Sequence, residues 1–253
     1  MQQGIADYLD IMQLAGVSEL KKVAVVHESR ERIAERPGRP DQPAEPVAPA
    51  LPATSTVIST PGIHASKAEQ LQHLATAVAQ CTRCKDLAAS RTQTVFGVGN
   101  PDSTLVFLGE APGMDEDKQG VPFVGRAGQL LTDIIVKGMQ MRREDVYICN
   151  ILRCRPPGNR NPLPDEAGHC REFLDRTLEI IKPKFICCLG AVAAKNLLAS
   201  EKTIGALRGT IWDYNGIKVV CTYHPAYLLR NPAAKKDTWE DVQLLMREIR
   251  ERS

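Results

Sequence analysis

Thr104-Leu105-Val106-Phe107-Leu108-Gly109-Glu110-Ala111-Pro112-Gly113 is the stretch on which the reading of this chain turns. An apolar run that stops at a Gly/Pro-punctuated turn has the form of a buried strand opening into a loop. In open α/β sheets, ligands sit at the carboxyl ends of strands. Glu110 falls at such an end and is a candidate site carboxylate. Taken alone, the pentapeptide supports a solvated loop glutamate equally well.

Outward from this strand the chain alternates. Residues 126–138 carry Ala127, Leu130, Leu131, Ile134 and Ile135 at helical spacing, and 146–152 form a second apolar run. A helix is expected between Pro164 and Pro183, then a strand at 185–190 and a helix at 191–199. Asn215-Gly216 is a strong hairpin signal, and its second strand, 217–222, delivers Tyr223-His224-Pro225. A last helix covers about 236–251, and one at 66–80 precedes Cys81. Strands alternating with helices predict an α/β fold, a parallel sheet covered on both faces.

The 253 residues suffice for one such domain and an appendage. Residues 5–20 are spaced as a short amphipathic helix within a segment 1–27, residues 28–62 read as a Pro/Ala-rich extended linker, and 63–253 form the folded domain. The net charge of +2 is uneven: residues 1–62 hold six Lys/Arg against eight Asp/Glu, the remainder 26 against 22. That mild basic bias is compatible with a polyanionic partner. With neither a membrane-length apolar run nor a secretory signal, the expected location is cytoplasmic.

Eight cysteines are many for a reducing compartment, where metal or cluster ligation is a better reading than disulfides. Cys81 and Cys84 form a two-thiol clip of the kind that zinc and iron–sulfur sites both use, and Cys154 and Cys170 would complete a set of four; the alternative is a stray pair with two ordinary thiols. Spacing does not separate the two metals. Cys149, Cys187, Cys188 and Cys221 lie in apolar strand patterns and read as buried small hydrophobes.

Three further positions are candidates. The long Gly/Pro-rich loop after Gly113 holds Phe123, whose ring is suited to a flat ligand or to plugging the core. Asn150, near the carboxyl end of the second strand, is able to donate and accept at a nucleobase edge, or to cap its own turn. Pro225 fixes the chain direction after His224, and Leu228, Leu229 and Arg230 set an apolar wedge beside a phosphate-binding group, or else simply start a helix.

Together, Gly109–Gly113, the segment from Pro122 to Gly128, Asn150 through Gly158 and His224-Pro225-Ala226-Tyr227 resemble the family 4 uracil-DNA glycosylases. The resemblance covers about residues 66–252 and implies a three-layer α/β/α fold around a four-stranded, mainly parallel sheet. It implies a [4Fe–4S] cluster on Cys81, Cys84, Cys154 and Cys170 that shapes the DNA-facing loops. It assigns Glu110 and His224 to catalysis. Ala111, Glu116, Phe123, Asn150 and His224 would bind the base, with Phe123 stacking on uracil, Asn150 on its polar edge, Glu116 crowding C5 and His224 meeting O2. Leu228, Leu229 and Arg230 would hold the DNA open. The partner would be uracil-containing DNA, single- or double-stranded, with the chain acting as a monomer. The resemblance does not reach residues 1–62; there, a helix tethered on a Pro-rich leash suits recruitment of a replication or repair protein. The alternative is a non-catalytic zinc or iron–sulfur DNA-binding module. A superfamily variant that traps uracil through a basic, His-containing loop fits less well, because residues 114–122 are acidic and lack His and Arg. A nucleotide-binding protein is disfavoured by the lack of a G-x-G-x-x-G or P-loop motif.

Overall fold

The computed structural model describes residues 65–252. The expected amphipathic helix within 1–27 and the linker at 28–62 lie outside them.

Ser66 opens α1 (Lys67–Ala79) with a reciprocal cap: its hydroxyl accepts from the Glu69 amide, and the Glu69 carboxylate accepts from the Ser66 amide. Leu71, Leu74 and Val78 form its buried face. A short helix, α2 (Lys85–Ser90), follows Cys84 directly. Then come β1 (Val98–Gly99) and β2 (Leu105–Gly109), the latter buried at every residue. The acidic loop contains α3 (Met114–Gln119), and α4 (Arg126–Asp133) runs on into a π turn at Ile134–Gly138. Next are β3 (Tyr147–Asn150), α5 (Pro164–Ile181), β4 (Phe185–Leu189), α6 (Ala191–Leu198) and α7 (Ile204–Leu207). β5 (Ile211–Tyr214) and β6 (Ile217–Thr222) are joined by Asn215-Gly216, both at positive φ as a two-residue hairpin turn requires. The described chain closes with α8 (Pro225–Arg230) and α9 (Lys235–Arg252).

The sheet order is β1-β3-β2-β4-β6-β5. β3, β2, β4 and β6 are parallel, whereas β1 and β5 pair antiparallel at the two edges. The expected four-stranded sheet is therefore corrected to a mixed sheet of six, since two short antiparallel strands finish both edges. Alternation along β2 divides the core. Val106 and Leu108 face a cluster with Leu174 and Leu178 of α5 and Ala193 and Leu197 of α6, while Leu105 and Phe107 face Leu131 of α4 and Val242 and Leu245 of α9. Helices thus cover both faces. The register aligns Gly109 with Asn150 and Leu189 with Thr222, so the parallel strands end along one rim.

Candidate active site

That rim holds a cavity of about 410 Å³, lined by Glu110 and Ala111 after β2, Glu116 and Phe123 from the following loop, Asn150 at the end of β3, and His224, Tyr227 and Arg230 after β6. Pro156, Asn159, Arg160 and Asn161 form the far wall. Seven of the positions singled out in the sequence therefore converge: Glu110, Ala111, Glu116, Phe123, Asn150, His224 and Arg230.

Gly109 makes the convergence possible. A Cβ there would lie 2.3 Å from Asn150 Oδ1 and 2.6 Å from two ring atoms of Phe123, so any side chain would displace both. Asn150 is 2% exposed, and its Oδ1 has no hydrogen-bond partner. A buried orphan acceptor costs about 1–3 kcal/mol, and Asn150 is also a lining residue of the cavity, where a ligand is able to bring the missing donor.

Phe123 is 7% exposed, belongs to the hydrophobic cluster beneath the sheet and also lines the cavity. The ring thus plugs the core, as one reading expected, and at the same time borders the cavity. Its φ of 55° is left-handed, a conformation that costs a bulky residue about 1–2 kcal/mol. The ring centroid lies 5.6 Å from that of His224.

His224 Nδ1 accepts from the Ala226 amide at 3.1 Å, which places the proton of the neutral ring on Nε2. Burial, reinforced by the charge of Arg230 and opposed by Glu116, pulls its pKa down from 6.5 to about 4. The ring is neutral near pH 7 and has one N–H to offer. Burial acts oppositely on Glu110, raising its carboxyl above the ordinary value.

Glu116 is bonded to its own loop. Oε1 accepts from the Val124 and Gly125 amides at 2.9 and 3.0 Å, and Oε2 from the Gly113 amide at 3.0 Å. The carboxylate is immobilised as a staple across its loop.

Leu228 needs correction. At 1% exposure it is part of the core, because α8 turns it inward, and it is not available to DNA. Leu229, at 37%, faces outward. Tyr227, quoted within its motif but given no role in the sequence reading, is 39% exposed and stacks on Tyr223 at 5.0 Å. The polar triplet Asn159-Arg160-Asn161 after Pro-Pro-Gly was a legible signal for the far wall that the sequence reading did not use.

Residues 96–243 match the family model of the uracil-DNA glycosylase superfamily. A type-4 uracil-DNA glycosylase of Thermotoga maritima is 47% identical over 168 residues, covering 66% of this chain and 86% of the relative. One from Archaeoglobus fulgidus is 43% identical over 181 residues, 68% of this chain and 90% of the relative. A type-5 uracil-DNA glycosylase of Pyrobaculum aerophilum is 33% identical over 88 residues, covering 33% of this chain and 37% of the relative. The chain belongs to the uracil-DNA glycosylase superfamily, in its type-4 branch.

In this type-4 glycosylase chain three of the four candidate cysteines lie together behind the pocket, and Cys81 packs against the neighbouring cluster of Leu74, Val78 and Phe173. Cys154 and Cys170 are buried with Leu87 and Leu152, and Cys84 and Ala111 pack against them. Burial and then the nearby Cys170, Cys154 and Cys81 push the Cys84 thiol up to about 12. Arg83 Nε donates to Cys81 Sγ at 3.4 Å, Arg91 donates to Cys154 Sγ at 3.1 Å, and His169 Nδ1 lies 3.4 Å from Cys84 Sγ. Four thiols with guanidinium donors suit an anionic thiolate-bound group. Among the described residues no three His, Cys, Asp or Glu side chains are close enough to hold a single metal ion. The other four cysteines are buried in the sheet, as expected. Among the described residues no helix is long and apolar enough to cross a membrane.

Proposed function

We propose that this chain hydrolyses the N-glycosidic bond of uracil in DNA, releasing the base and leaving an abasic site. The observation that carries the proposal is the orphan Oδ1 of Asn150, in the same cavity as a neutral His224, the Phe123 ring and Glu110. A pyrimidine extruded from the stack, at a cost of a few kcal/mol, would lie along Phe123. Asn150 Oδ1 would accept from N3–H and its Nδ2 donate to O4. As the bond to C1′ breaks, negative charge collects on O2. The Nε2–H of His224 would stabilise it, a contribution on the order of 3 kcal/mol for one such donor. Glu110, its basicity raised by burial, would face the cationic sugar, orient water towards C1′ and accept its proton. Water supplies the hydroxyl on the sugar, and the pyrimidine leaves with the bonding electron pair.

Glu116, stapled by three amides, is a rigid wall against which the thymine methyl would clash. Of the three loop positions, the exposed Leu229 is the wedge that would enter the stack, and Arg230, lining the cavity, would meet a phosphate or the base rim. Cys81, Cys84, Cys154 and Cys170 would hold a [4Fe–4S] cluster, which supplies a structural brace behind Ala111.

The test is release of free base from matched uracil- and thymine-containing oligonucleotides, single- and double-stranded. Uracil release without thymine release supports the proposal; binding without release favours a non-catalytic module.

A further inference from the structure

We propose that Arg143 is a positioning residue for the base pocket, clamping Phe123 in its left-handed conformation from the side opposite Glu116. The proposal rests on the reading that Phe123 forms a wall for the extruded base.

Phe123 is the one aromatic residue at positive φ among the described residues, and the peptide units around it are gripped from both directions. On the amide side, Glu116 Oε1 accepts from Val124 and Gly125. On the carbonyl side, Arg143 Nη2 donates to the Pro122 and Phe123 carbonyls at 2.9 and 3.0 Å. The other arm, Nη1, donates at 2.9 Å to Thr132 Oγ1, which itself donates to the Gly128 carbonyl within α4. The guanidinium therefore ties the loop to a helix. Gly128 closes the arrangement: a Cβ there would lie 1.9 Å from the Phe123 carbonyl oxygen, so the helix backs directly onto the gripped peptide.

Arg143 does not line the cavity. Nη2 holds two successive carbonyls while Nη1 reaches Thr132, so the fixed fork of the guanidinium spans loop and helix at once, which a lysine reproduces only in part. A left-handed Phe relaxes towards negative φ when such contacts are lost, and that rotation carries the ring away from its place beside His224. A displacement of about 1 Å of a positioning group lowers catalysis on the order of 10²-fold.

The test compares Arg143→Ala and Arg143→Lys with wild type in single-turnover uracil excision, alongside affinity for abasic-site DNA, which presents no base to stack. The expected result for Arg143→Ala is a loss in excision on the order of 10²-fold. Abasic-site affinity should stay within about twofold, and Arg143→Lys should recover part of the rate. Full excision by Arg143→Ala, or an equal loss in excision and abasic-site affinity, would overturn the proposal. If Arg143→Ala does not fold, Thr132→Val carries the test, because it removes only the hydroxyl that anchors the guanidinium. Reduced excision at unchanged abasic-site affinity then supports the clamp, and unchanged excision overturns it. A wild type that releases no uracil would overturn the glycosylase reading instead, which keeps the two failures distinct.

Discussion

The Phe123 ring and the His224 imidazole lie 5.6 Å apart with their planes inclined by 31°, although 100 residues of chain separate them. One follows β2 and the other follows β6, so the sheet brings them to a single rim. The low dielectric of that neighbourhood keeps the imidazole neutral, and its Nδ1 is already occupied by a backbone amide.

His224 should make stability depend on pH in a defined window. Its folded pKa lies below its unfolded value, so the stabilisation is complete above about 6.5 and is lost as pH falls towards about 4, where the unfolded chain binds the proton first. The difference amounts to about 3 kcal/mol. Denaturant titrations of wild type and His224→Gln between pH 7 and 4 should show a steeper decline for wild type; parallel curves would show that the imidazole is not held neutral.

Asn150→Leu should separate stability from activity. It removes a buried acceptor without a partner, so the melting temperature should hold or rise, while uracil excision should fall by at least 10²-fold (an order-of-magnitude figure for a lost buried recognition pair). A destabilised variant with normal excision would reverse the assignment.

Leu228 and Leu229 should behave oppositely. Leu228→Ala empties a core position and should cost about 2–5 kcal/mol in denaturant unfolding. Leu229→Ala should leave stability within about 0.5 kcal/mol. Its excision from double-stranded DNA should fall more than from single strands, where no stack needs to be held open.

The cysteine site is testable by composition. Wild type should carry about four irons per chain with matching acid-labile sulfide, and Cys170→Ala should lose both. Stoichiometric zinc in place of iron would exclude the cluster.

The parallel strands were legible as apolar runs, two of which stop at Gly109 and Gly190; the run at 146–152 continues two residues past Asn150, where the strand itself ends. The edge strands were harder: β1 is two residues long and carries no periodicity, while β5 was readable through its Asn-Gly turn. Glu110, Asn150 and His224 were accessible as candidates because strand ends are where such sheets bind ligands. The burial of Leu228 was not, since two adjacent leucines do not reveal which way a six-residue helix turns. Arg143 was invisible for a different reason. It lies 20 residues from Phe123 and acts on backbone carbonyls, which leave no trace in a side-chain pattern.

Glu110 carries the central claim. Burial raises its carboxyl, so its charge weakens the fold above that raised pKa, and Glu110→Gln should melt no lower than wild type at neutral pH. The decisive measurement is the single-turnover rate of uracil release from a uracil-containing oligonucleotide by both proteins. The account expects rapid release by wild type and a loss on the order of 10²-fold or more in the folded variant. Equal rates, or no release by wild type, would contradict it.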